Sequence, residues 1–173
     1  ALPILTLYVM IVLGLTMGMQ PIVGYNFGAQ KIDRVKQTLK LGIVSGVVIT
    51  SSGFFICELF PHAVSAIFTD SDHLIDLAVD GLRITVIMFP FVGAQIVIGN
   101  FFQSIGKAKI SIFLSLTRQL LYLLPCLLLF PNWWGLKGIW ISMPVSDALA
   151  FITAVISLII YIKKVSKQHL IAE

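Results

Sequence analysis

Five stretches of this chain are apolar for long enough to cross a lipid bilayer, which takes about 20 helical residues. They cover residues 2–27, 39–60, 82–104, 110–130 and 136–162, and none holds more than one or two charges in its interior. The pattern predicts an all-α integral membrane protein: a bundle of five transmembrane helices over residues 1–165, followed by a cytoplasmic tail at 166–173. The longest connection, 61–80, contains a small apolar cluster (Ala63, Val64, Ala66, Ile67 and Phe68) expected to lie along the outer interface. After it, Thr69-Asp70-Ser71-Asp72 offers capping oxygens and negative charge for a helix starting near His73.

Composition agrees with lipid as the solvent. Hydrophobic residues make up 58% of the 173 positions and charged residues 12%, where a soluble domain has about 25% charged. Mean hydropathy is +0.98. Too little polar surface remains to cover a water-soluble globule. The chain opens inside an apolar run, with no initiator Met and no basic leader, so the beginning of the protein is expected to lie upstream.

The net charge of +4 acquires meaning only when mapped onto the connections. Lys31, Arg34, Lys36, Lys40, Lys107, Lys109, Lys163, Lys164 and Lys167 fall on one side of the predicted bundle, and Arg83 and Lys137 on the other. By the positive-inside rule the first side is cytoplasmic, so the chain begins outside and ends inside. Trp133, Trp134 and Trp140 bracket the start of the last span, where an interfacial aromatic belt is expected. Basic residues interleaved between apolar runs are not the clustered polar face of a nucleic-acid binder. Cys57 and Cys126 lie in apolar stretches and read as small hydrophobes. His62, His73 and His169 have no metal-site spacing, and no metal or other cofactor is implied.

Within the spans, Pro21, Pro90, Pro125 and Pro144 each remove a backbone N–H and disturb the carbonyl four residues earlier. Lipid tolerates this where neighbouring helices resatisfy the backbone, and broken helices recur in transporters. The pairs Gly14/Gly18, Gly24/Gly28 and Gly42/Gly46 predict close packing of the first two spans. Two ionisable groups lie deep. Arg118 is about 12 Å into its span, and Asp147 about 16 Å from the opposite face, so in a core about 30 Å thick their depths nearly coincide. Deep charges must pair or face water, and the two are expected to interact, either as a static lock between helices or as part of a transport path. No paired carboxylates, His-Glu-x-x-His, Cys-x-x-Cys, Gly-x-Ser-x-Gly or phosphate loop is present, so no enzyme is indicated. Nor is there a filter-like loop or ring of charges to suggest a channel.

Five segments, in order, resemble one family. Gly18-Met19-Gln20-Pro21-Ile22-Val23-Gly24-Tyr25-Asn26-Phe27-Gly28-Ala29-Gln30 resembles the end of the eighth helix of bacterial MATE (multidrug and toxic compound extrusion) transporters. Phe60-Pro61 with Ile67-Phe68-Thr69-Asp70 resembles the external loop before helix ten, and Phe101-Phe102-Gln103-Ser104-Ile105-Gly106 the end of that helix. Leu114-Ser115-Leu116-Thr117-Arg118-Gln119 with Pro125 resembles helix eleven. Gly135-Leu136-Lys137-Gly138-Ile139-Trp140 with Pro144 and Asp147 resembles helix twelve.

The resemblance implies a twelve-helix antiporter of the bacterial inner membrane, in which two six-helix halves alternate between outward- and inward-open states. Entry of H+ or Na+ would drive export of lipophilic, often cationic small molecules. This chain would supply helices eight to twelve, and its partner would be the missing N-terminal half of the same transporter. Sodium-dependent branches place an acid in helix ten, but residues 82–104 contain no Asp or Glu, so that site does not carry over. The substrate cavity lies between the halves, and Gln20, Tyr25, Asn26, Gln95, Asn100 and Gln103 are the candidates for the wall contributed here. A lipid-linked saccharide flippase of the same superfamily is the near alternative, although few deep cations suit its phosphate. A non-transporting structural membrane subunit is the alternative from another class.

Overall fold

The computed structural model describes residues 2–66 and 72–172, and the side chains of these except 2, 72–74, 77 and 166–172. The cap expected at Thr69–Asp72, the apolar residues Ile67 and Phe68, and the side chains of His73 and His169 lie outside that description.

Every described element is helical. α1 (Leu2–Gly28) and α2 (Ile32–Leu59) are unbroken, α2 starting seven residues before its apolar run and so carrying Arg34, Lys36 and Lys40 on its first turns. A single turn and a half, α3 (Pro61–Ala66), leads towards α4 (Asp72–Val86) and α5 (Phe89–Ser104). One face of α3 is covered, with Pro61, Val64 and Ser65 buried and Val64 packed with Cys57, Leu82 and Val86, while Ala63 and Ala66 are exposed. The remaining helices are α6 (Ala108–Leu116), a π-helical segment (Thr117–Leu123), α7 (Leu124–Trp134) and α8 (Leu136–Ala172).

Four helical stretches among the described residues are long and apolar enough to span a membrane, or five when the bent pair 78–86 and 89–104 is counted as one span. The bend is 50°, and it follows from Pro90. Proline fits the first turn of a helix but not its interior, so α4 ends at Val86 and α5 restarts at Phe89 with Pro90 in its first turn. Pro125 is accommodated differently. The turns before it widen into the π segment, where the N–H of Leu124 donates to the carbonyl of Gln119, so the backbone opens instead of breaking. Pro21 and Pro144 leave α1 and α8 continuous.

α5 occupies the middle of the bundle, packed against α1, α2 and α8. Its crossing with α2 is a backbone contact: a Cβ on Gly93 would overlap the carbonyl of Gly46 and lie 2.7 Å from Thr50 Oγ1. Thr50 Oγ1 lies within donating distance of three carbonyls, Gly46 and Val47 on its own helix at 2.9 and 3.3 Å and Pro90 on α5 at 3.0 Å. Of the glycine pairs read from the sequence, Gly42/Gly46 lies at this crossing and Gly24 meets the Ser104 carbonyl. Gly14, Gly18 and Gly28 face open space. Four-residue spacing places two glycines on one face without saying which face is covered.

Two helix–helix turns share one design. After α1 and after α5, a residue with positive φ (Gln30 at 59°, Gly106 at 74°) precedes a lysine that starts the next helix. The lysine N–H donates to a carbonyl back in the turn, Lys31 to Asn26 at 2.9 Å and Lys107 to Phe102 at 2.8 Å. This is the helix-ending motif in which glycine is normally preferred. Gln30→Gly is therefore expected to raise stability by about 0.5 kcal/mol, and Gly106→Gln to lower it by about 1 kcal/mol. Unfolding titrations in detergent micelles would show both shifts; identical curves for both variants would mean that neither turn is strained.

Much of the apolar surface faces outward. α7 has no buried residue, and Leu128 and Trp133 are 64% and 69% exposed. Trp133 and Trp134 are exposed at the end of α7, whereas Trp140 turns inward onto Gly81 of α4, where a Cβ would come within 2.6 Å of its ring.

Candidate functional site

The two deep charges meet. Arg118, on the π segment, donates from Nε to Asp147 Oδ1 at 2.9 Å, and its Nη2 lies 2.8 Å from the same oxygen. A second link runs parallel to the first. Tyr122 Oη and Thr153 Oγ1 are 2.8 Å apart, and Thr153 donates to the Leu149 carbonyl, so Tyr122 is the donor between them. Arg118 and Tyr122, four apart in sequence, thus fasten the π segment to α8. Both side chains leave the widened segment that precedes Pro125. The tyrosine–threonine link was not legible in the sequence; the only signal was the four-residue spacing from Arg118.

The ion pair lines an open cavity of about 310 Å³ bordered by α1, α4, α5, the π segment and α8. Its other polar lining comes from Thr6, Thr85, Gln119 and Ser146. Thr85 and Ser146 donate to carbonyls on their own helices, Gly81 and Met143.

The six wall candidates separate into three groups. Gln20 on α1 and Asn100 on α5 are brought together, Gln20 Nε2 donating to Asn100 Oδ1 at 3.1 Å, while Asn100 Nδ2 donates to the Ile96 carbonyl. Tyr25 and Gln103 are exposed on the same two helices. Asn26 and Gln95 are instead turned into the lobe, each 8% exposed. Asn26 donates to the Ile22 carbonyl of its own helix, and Gln95 Oε1 has no hydrogen-bond partner among the described residues. Among those residues no group of three or more His, Cys, Asp or Glu is placed to hold a metal ion.

A bundle of helices with apolar outer faces, a broken central helix and an Arg–Asp pair between two of its helices has the make-up of an integral membrane protein. The chain belongs to the MatE family, whose family model matches residues 1–128. It is 25% identical over 140 residues to the multidrug export protein MepA of Staphylococcus haemolyticus, an overlap covering 81% of this chain and 30% of that protein. Among solved structures, it resembles a complex of the MATE multidrug transporter DinF-BH, with 37% identity, a TM-score of 0.84, and coverage of 90% of this chain and 35% of that one. The outward-facing conformation of a MATE family transporter of the MOP superfamily shares the fold, with a TM-score of 0.89 at 20% identity over 96% of this chain and 38% of that one. The chain therefore spans about a third of the length of the proteins it matches, which are named as export proteins and transporters.

Proposed function

We propose that this chain is part of a cation-coupled multidrug efflux antiporter of the bacterial inner membrane, working by alternating access, with its C-terminus cytoplasmic. The likeness to DinF-BH over 90% of the chain carries this reading. The basic residues of the α1–α2 and α5–α6 turns and of the last turns of α8 support the orientation. H+ or Na+ would be the driving ion, and lipophilic or cationic small molecules the cargo. The rest of the transporter would supply the opposite wall of the cavity.

On this reading Gln20, Tyr25, Asn100 and Gln103 form the polar wall on α1 and α5, and Asn26 and Gln95 stand behind it. Polar side chains at membrane depth are retained where they pair with one another or line a path. The Arg118–Asp147 pair acts as the fastening between the π segment and α8.

The test is ethidium efflux from cells that lack other pumps and express the complete transporter containing this chain. Asn100→Leu is expected to slow efflux about tenfold, the rate equivalent of roughly one lost hydrogen bond to cargo or path. Leu128→Ala, on the outer face of α7, should leave efflux unchanged. Equal rates for both variants at equal membrane abundance would remove α1 and α5 from the path.

A further inference from the structure

At the end of the bundle where α1 turns into α2 and α5 into α6, a cavity of about 800 Å³ opens between those turns and α8. Its size lies within the range of pockets that hold whole small molecules, about 300–1,000 Å³. Its lining is largely apolar, with Phe27, Ile110, Phe113 and Ile160 in it, and Lys107 and Lys164 are its charged residues. Both lysines are exposed, and among the described residues neither forms an ion pair. Among the described residues of this end the acid is Asp33, which sits in the first turn of α2 and does not line the cavity.

Two unneutralised ammonium groups over an apolar cleft ask for a ligand with two properties at once. A free anion would satisfy the lysines but leave the aromatic and aliphatic walls without contacts. A neutral lipid would fill the walls and leave both charges unanswered. The long lysine stems reach from apolar surroundings to the level of lipid headgroups, and basic pockets between membrane helices hold anionic headgroups.

We propose that this cavity binds one anionic phospholipid, with its headgroup phosphate at Lys107 and Lys164 and an acyl chain along Ile110, Phe113 and Ile160. Gln30, whose left-handed backbone brings it to the cavity lip, supplies an amide N–H to the same headgroup. The lipid would seal the seam between α8 and the two turns, and its occupancy would follow the anionic content of the membrane.

The test uses the full chain in a non-ionic detergent, with phosphatidylglycerol, phosphatidylcholine or inorganic phosphate added. Retained ligand is counted by native mass spectrometry, and melting is followed by tryptophan fluorescence. The expected result is one phosphatidylglycerol retained per chain with a raised melting temperature, weaker retention of phosphatidylcholine, and no protection by phosphate. Lys107→Gln/Lys164→Gln should weaken phosphatidylglycerol binding about fivefold for each lysine removed. Lys109→Gln/Lys163→Gln removes the same charge from the same end outside the cavity, and should change binding by less than about twofold after screening. If the first double variant does not accumulate, Lys164→Gln alone carries the test at about fivefold. Equal retention of the two lipids, equal loss in both double variants, or equal protection by inorganic phosphate would each overturn the proposal, the last by showing a free-anion site.

Discussion

Asp147→Ala is expected to destabilise the chain in detergent micelles by about 2–3 kcal/mol, because it strands Arg118 without its counter-charge. A fully buried pair broken in this way costs about 3–5 kcal/mol; here the guanidinium side chain keeps 34% of its surface exposed against 15% for the carboxylate, and the loss is smaller in proportion. The size of the effect depends on which partner goes. Removing Arg118 leaves Asp147 as the more enclosed of the two, so Arg118→Leu should cost at least as much as Asp147→Ala. Removing both is different, since apolar side chains of similar volume need no solvation: Arg118→Leu/Asp147→Leu should recover most of the loss. SDS-titration unfolding of Arg118→Leu, Asp147→Leu, the double variant and the parent closes a double-mutant cycle. A double variant as unstable as the sum of the singles would mean that the two side chains act independently and that the π segment is held elsewhere.

The Tyr122–Thr153 link offers that other hold, and the cycle has a defined outcome for it. If Tyr122 carries the fastening, the Arg118 and Asp147 variants lose little and add; if the ion pair carries it, they couple. The two links share one segment. Pro125 opens the helix ahead of it, and the opened turn presents residues four apart to the same neighbouring helix.

That arrangement also marks the boundary of what the residue pattern contains. Depth is countable from a span's edge at 1.5 Å per residue, so the meeting of Arg118 with Asp147 could be anticipated from two separate helices. The spans could be anticipated too, because lipid penalises any long polar interruption. What an open backbone does is not countable in this way. Pro90 and Pro125 look alike in the sequence, yet one breaks its helix by 50° and the other widens it, since the outcome depends on what the neighbours accept. Gln95 and Gln103, both polar on α5, illustrate the same point: one is buried and the other exposed, because α5 is surrounded on most sides. Asn26 likewise faces inward beside the exposed Tyr25.

Glycine shows this most sharply and yields the second large expectation. Gly93→Ala should cost about 2–3 kcal/mol, at the upper end of what overpacking a filled interior does. The new methyl would overlap the Gly46 carbonyl and press on Thr50 Oγ1, and a backbone carbonyl does not rotate away as a flexible side chain does. Relief requires α2 to back off from α5, which also loosens the Val97 contacts that a Cβ at Gly42 or Gly46 would meet at 3.1–3.2 Å. It would also stretch the Thr50 hydrogen bond to Pro90. The same substitution at Gly14 or Gly18 meets nothing within 4 Å. There the helix gains instead, because Ala is favoured over Gly in a helix interior by about 1 kcal/mol. One chemical change, made at three glycines in membrane helices, should therefore stabilise at two and destabilise at the third, a spread of roughly 3–4 kcal/mol read by unfolding titration under one set of conditions. If Gly93→Ala proves as harmless as Gly18→Ala, the backbone contact between α2 and α5 is not what holds the centre of the lobe together. If all three destabilise alike, Gly14 and Gly18 are covered by a partner surface in the folded protein, and the open face of α1 is an interface rather than a wall.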